Sequence, residues 1–262
     1  MTIRRYLSAV ALVAAVSAGG CGSDAATPPS PEWLTPAART PAPPVATARA
    51  TTRPPVKITF PEWGDGLWRV APAGTDTTGH SGRLLRYRVA VERDIAGVTP
   101  EGFAAAAAAT LADPRGWTAG DRWRFRRVGP GQAYNFTLYL ATPRTRDRLC
   151  EDVADGYTSC RNGPSVVLNV ARWAGGVPFY RGDLTAYRQY MVNHEVGHRL
   201  GHGHEKCPRP GSPAPVMQQQ TLGLHGCTTN PWPHPDGTTL YHGPSGQYDD
   251  RPPPQMPIAL KK

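Results

Sequence analysis

The sequence predicts an α+β domain with a small mixed sheet, two main helices and a loop-rich C-terminal part. Three observations carry this expectation. Short stretches between Trp63 and Val170 read as strands, and the clearest, Leu84–Glu92, alternates apolar with polar residues, the period of a half-buried strand. Two longer stretches, ending near Ala112 and Leu200, carry helix-start signals and strong helix formers. Beyond Leu200, Gly and Pro recur too often for long regular elements.

Composition sets the outer limits. The chain has 262 residues, among them 29 Pro and 28 Gly, and a net charge of +9. Much of the Pro lies towards the two ends, so the foldable part is nearer roughly 170 residues, enough for one core. The expected organisation is a signal peptide at 1–21, a Pro/Ala/Thr-rich tether at 22–56, a folded domain at 57–235, and a mobile tail at 236–262. The basic balance suggests attraction to anionic surfaces such as a wall or membrane. No nucleic-acid partner is expected, because Lys is nearly absent and most Arg are scattered.

From the N-terminus, Arg4 and Arg5 precede an apolar run from Tyr6 to about Ala18 and then small residues, the pattern of a secretory signal. Ala18-Gly19-Gly20-Cys21 resembles a bacterial lipobox with Cys21 as the lipidated residue, although Ala stands where Leu is preferred. The expectation is export, with the chain held at the outer face of the cell membrane by a lipid anchor. The alternative is an ordinary signal and a secreted protein.

Trp63–Val70 reads as a first short strand. Leu84–Glu92 is a clearer one, with Leu85, Tyr87, Val89 and Val91 on one side and Arg86 and Arg88 on the other. Thr99 caps a helix through Ala112: Pro100 suits its first position, the Ala run favours it, and Pro114 halts it. Trp123–Val128 and Asn135–Ala141 read as further strands, then Ser165–Val170 as an apolar one. Asp183 caps a helix over Leu184–Leu200, whose Val192, Val196 and Leu200 should face the core.

Apart from Cys21, four cysteines remain, and in an exported domain an even number reads as two disulfides. Of three possible pairings, Cys150–Cys160 and Cys207–Cys227 each close a local loop, and each would contribute roughly 3 kcal/mol.

The second helix carries the chemistry. Its last turn runs His194-Glu195-Val196-Gly197-His198, followed by Arg199-Leu200-Gly201-His202-Gly203-His204, which reads HExxHxxGxxH. Residues four apart on a helix lie one above the other, so His194 and His198 can grip one ion, and Glu195 sits beside them. Gly201 can adopt the positive φ that turns the chain back, bringing His204 as a third nitrogen ligand. His202 also stands four residues after His198 and would join the ligand face if the helix ran on; Gly201 and Gly203 argue against that. Chance assembly of the fixed residues has odds of roughly 2 in 100,000 over the whole chain, so the pattern is far more specific than a bare HExxH. Three neutral imidazoles on one Zn2+ leave a fourth position open, the donor set of a catalytic site. The expected reaction is hydrolysis of a peptide bond by metal-activated water, with Glu195 as general base.

The motif resembles that of the metzincin zinc peptidases, HExxHxxGxxH followed by a Met-turn. Ser212-Pro213-Ala214-Pro215-Val216-Met217 is similar to that turn, which implies Met217 as the methionine beneath the metal. The segment from about Leu85 to Pro233 resembles, more closely, a family of secreted metzincin-like proteins from high-GC Gram-positive bacteria. The matching pieces are Asp113–Trp117, Val167–Trp173, Asn193–His204 and Ala214–Thr221. The resemblance implies an enzyme acting on peptides or proteins, with a strand such as Ser165–Val170 pairing with an extended substrate; a monomer is expected. Glu205 follows the third His as in the astacins, whereas Gln219 stands where their turn carries a tyrosine. Two other function classes are compatible with export and a metal: a zinc hydrolase of peptidoglycan amide bonds, and a non-catalytic binding or adhesion lipoprotein. An intact Glu195 favours the enzymes.

Overall fold

A computed structural model describes residues 56–253. The expected signal, lipobox and tether, with Cys21, lie outside the described residues, apart from Val56. The described chain forms a mixed sheet with four α-helices. Its strands are β1 (Trp68–Val70), β2 (Thr77–Thr78), β3 (Arg83–Glu92), β4 (Trp123–Arg127), β5 (Phe136–Ala141), β6 (Cys160–Asn162) and β7 (Ser165–Asn169). The helices are α1 (Pro100–Ala112), α2 (Pro143–Cys150), α3 (Val170–Gly175) and α4 (Leu184–Arg199). The two expected helices are the long ones.

The strand order is β2-β4-β3-β5-β7-β6, with β1 also paired to β3. β4, β3, β5 and β7 run parallel, while β1, β2 and β6 are antiparallel additions. Parallel neighbours need a crossover, and α1 and α2 lie in two of these connections. β3 follows the expected alternation over its first half, where Leu85 and Tyr87 are buried and Arg86 is exposed. From Val89 to Glu92 every residue is buried. Glu92 is tolerated there because Gly66 N, Thr142 N and Thr145 Oγ1 donate to its carboxylate at 3.0, 2.7 and 2.6 Å.

The principal core lies between the sheet and α1 and α4. Leu85, Tyr87, Val89 and Val91 of β3 join Phe103, Ala107 and Leu111 of α1 and Tyr187, Met191, Val192 and Val196 of α4. The capping reads as the residues dictate: Thr99 Oγ1 accepts from Gly102 N, and Asp183 Oδ1 from Ala186 N. A smaller cluster of Ala141, Cys150, Cys160 and Val167 forms beside Trp68, Tyr139 and Leu149.

Two expectations are corrected, and one element is additional to them. α2 was no sequence prediction, because PRTRDRLC has no apolar stripe; it forms where Pro143 starts a turn and Arg146 is buried among carboxylates. β7 is an inner strand, paired with β5 along its length and with β6 from Ser165 to Val167, so most of the edge a substrate would use is taken. The outer strand is β6. The tail expected to be mobile from Asp236 is instead tied down through Asp250. Tyr241 N donates to Pro233 O, Lys206 N to Pro244 O, and His225 meets Asp250 at 2.6 Å. Its Pro and Gly exclude regular elements but not packing. Among the described residues, no helix is long and apolar enough to cross a membrane.

Candidate metal centre

α4 delivers His194 and His198 from one face, one turn apart, as its 3.6-residue period requires. The helix stops at Arg199, and Gly201 takes φ +99, a left-handed region in which a side chain would be strained. That turn sends the ring of His202 away to stack on Trp117, with centroids 4.5 Å apart, and brings His204 back to the other two. His202 therefore stands outside the cluster of His194, His198 and His204.

His194 Nε2 lies 3.2 Å from His198 Nε2, which lies 3.1 Å from His204 Nε2. Each ring is oriented from behind. His194 Nδ1 is 2.8 Å from Val216 O, His198 Nδ1 is 2.9 Å from His202 O, and His204 Nδ1 is 2.8 Å from Gln247 Oε1. These oxygens only accept, so each Nδ1 carries the proton and three Nε2 lone pairs face one point. Burial, and after it the charge of neighbouring imidazoles, holds His194 well below the usual range and pushes His198 down to about 4. His204 is lowered by burial. The rings are neutral at pH 7, the form that binds a metal.

Three converging lone pairs repel one another unless a cation lies between them. Zn–N bonds of about 2.0–2.1 Å at tetrahedral angles separate ligand nitrogens by about 3.4 Å, close to the spacing here. The donor set therefore fits Zn2+. The acid beside it fits as well. Glu195 is buried, and its Oε2 has no hydrogen-bond partner. Burial pushes its carboxyl up to about 8, against the charge of Arg146 and with that of Asp152.

Glu195, His198 and His204 open onto a cavity of about 470 Å³, lined also by Arg161 of β6, Gln219 and Arg146. Arg146 was not apparent from sequence, since a lone Arg in a polar stretch carries no signal. Its side chain is 2% exposed and held by Asp147 at 3.1 Å, Asp152 at 3.0 Å and Asp155 at 3.5 Å. Cys150 is disulfide-bonded to Cys160, closing the loop that supplies the last two.

Met217 is buried against α4. A Cβ placed on Gly197 would meet Met217 Sδ and come within 2.7 Å of Trp117. Glycine in a helix interior costs about 1 kcal/mol against Ala, and here it makes room for both side chains. The turn around Met217 is held from three directions. Met217 O accepts from Glu205 N, Tyr190 Oη donates to Gln218 O, and Cys207 is bonded to Cys227 around it. Trp117 Nε1 donates to Asn193 O at 2.8 Å, anchoring the 113–117 stretch to the same helix. Gln247 was outside every sequence expectation, because it lies in the Gly/Pro-rich tail.

Comparison with known proteins finds no match among curated proteins and none among solved structures. Residues 54–230, well over half of the chain, match the family described as a protein of unknown function (DUF3152). The chain belongs to that family.

Proposed function

We propose that this chain is a zinc-dependent endopeptidase of metzincin-like build. One observation carries the reading: the Nε2 atoms of His194 and His204 lie 3.2 and 3.1 Å from His198 Nε2, all three within 4.8 Å of one another, while every Nδ1 is tied to an oxygen behind it. His194, His198 and His204 would hold the ion. Bound there, zinc supplies a Lewis acid that acidifies water and polarises a carbonyl.

The remaining roles belong to this chain's own residues. Glu195 follows the first ligand and lines the cavity; the charge of the ion would bring its raised carboxyl back to the carboxylate, which can take a proton from water and pass it to the leaving amine. β6 is the edge strand beside β7, and its Cys160 and Arg161 line the cavity. An extended peptide can add to its outer edge by main-chain hydrogen bonds, which replaces the role expected of β7. Gln219 lines the cavity where a tyrosine would stand in the astacins, and its amide can donate to a developing oxyanion. Met217 supports α4 from below through the space left by Gly197. An exported chain held by a lipid at Cys21 accords with the two disulfides and remains part of this proposal.

The decisive experiment pairs metal analysis with a Glu195→Ala variant. The wild-type chain should purify with about one zinc per chain and cleave casein. Glu195→Ala should keep the zinc and lose cleavage by a factor on the order of 1,000. Unchanged cleavage by that variant would remove Glu195 from the chemistry, and wild-type protein without zinc would remove the site.

A further inference from the structure

We infer that residues 241–250 form a strap that completes the metal centre, with Gln247 as the positioning residue for His204. The inference rests on the zinc reading above. The three ligands differ in how they are held. His194 and His198 stand on α4, whose backbone hydrogen bonds fix their positions. His204 lies beyond the helix, past two glycines, and no regular element holds it.

The strap supplies what is missing there. His204 O accepts from Gly246 N at 2.9 Å, and Lys206 N donates to Pro244 O at 2.7 Å. Glu205 and Ser245 form an antiparallel bridge between these hydrogen bonds. The Glu205 carboxylate meets His242 Nδ1 at 2.9 Å and accepts from Gly243 N at 3.0 Å. Residues 204–206 are thus all bonded to 242–246. With that backbone fixed, Gln247 places Oε1 2.8 Å from His204 Nδ1. The strap is pinned again at its end, where Tyr248 stacks on His225 with centroids 3.4 Å apart.

Two details indicate a built arrangement. A Cβ on Gly243 would run into Lys206 O, so glycine is what lets the two backbones approach. Gln247 Oε1 also gives the third ring what Val216 and His202 give the other two, an acceptor that keeps the proton on Nδ1 and leaves Nε2 free. The strap lies beyond residue 230, where the family match ends. The metal centre of this chain is therefore completed from outside the matched stretch.

The test uses the full chain and reads zinc affinity by competition with a chromophoric chelator, alongside the absorption spectrum of the Co2+-substituted protein. Gln247→Ala should weaken zinc binding about 10- to 100-fold, the usual effect of removing a partner that orients a ligand. It should also change the Co2+ spectrum while leaving the circular dichroism of the metal-free protein unaltered. Gln247→Glu keeps an acceptor oxygen and should bind zinc at least as tightly as wild type. Gly243→Ala should weaken zinc with Gln247 intact. If Gln247→Ala binds like wild type, or Gln247→Glu is as weak as Ala, the positioning role is wrong and the zinc reading stands. Wild-type affinity in Gly243→Ala would overturn the strap. If the wild-type chain binds no stoichiometric zinc, both readings fall.

Discussion

His194 Nδ1 and the carbonyl of Val216 are 2.8 Å apart, so the residue before Met217 orients the first imidazole of the triad. The turn beneath the helix and the ligand above it are one mechanical unit. Met217 fills the space below Gly197, Val216 O holds the ring, and the Cys207–Cys227 bond encloses both residues.

Gly197→Ala should therefore weaken both stability and zinc binding. Alanine is the better helix former by about 1 kcal/mol. Its methyl would meet Met217 Sδ and lie 2.7 Å from the Trp117 ring, which are both in the core. Overpacking of this kind costs typically about 1–3 kcal/mol and should win. Urea unfolding measures the balance; a variant more stable than wild type would show that Met217 does not occupy that space.

His202→Ala and His204→Ala separate the two readings of the motif. The ring of His202 stacks on Trp117, and its backbone carbonyl, which Ala retains, serves His198. Zinc content should survive in His202→Ala and be lost in His204→Ala. Equal loss in both would mean that the turn at Gly201 does not redirect the chain as described.

Gln219→Ala tests whether the amide in the cavity substitutes for the absent tyrosine. Cleavage should fall on the order of 100-fold, the effect of deleting one oxyanion donor. Zinc affinity should hold, because the acceptors that orient the three rings are Val216 O, His202 O and Gln247 Oε1. A drop in affinity that matches the drop in cleavage would assign Gln219 to the scaffold.

Buried tyrosines predict an alkaline limit to stability. Burial pushes Tyr87 up to about 12 and raises Tyr187 further. A folded-state pKa above the unfolded value of about 10 means the folded protein holds the proton more tightly. The contribution is complete below pH 10 and is lost as pH rises towards 12. Each such tyrosine contributes a slope of up to about 1.4 kcal/mol per pH unit. Denaturant midpoints at pH 8, 10 and 11 should fall only above pH 10; a flat profile would mean these hydroxyls ionise freely.

Legibility from sequence followed the range of the forces involved. The caps at Thr99 and Asp183, the ligands one turn apart and the turn at Gly201 are local, so a single stretch carries all their causes. Arg146 and Gln247 are different. The first is paired through carboxylates of a disulfide-closed loop, and the second reaches His204 across 43 positions of chain. Neither contact leaves a periodic trace. The polar α2 was missed for the same reason, since its stability comes from buried ion pairs and not from an apolar stripe.

By itself the sequence determined the α+β character, the two long helices, and three histidines with an acid in ligand spacing, because helix period and glycine conformation act over a few residues. Only the tertiary structure decided which strand stands at the sheet edge. It also decided that a Gly/Pro-rich tail returns to brace the third histidine. Sheet order and strap docking depend on burial and hydrogen bonding between distant segments, whose partners exist only once the chain has folded.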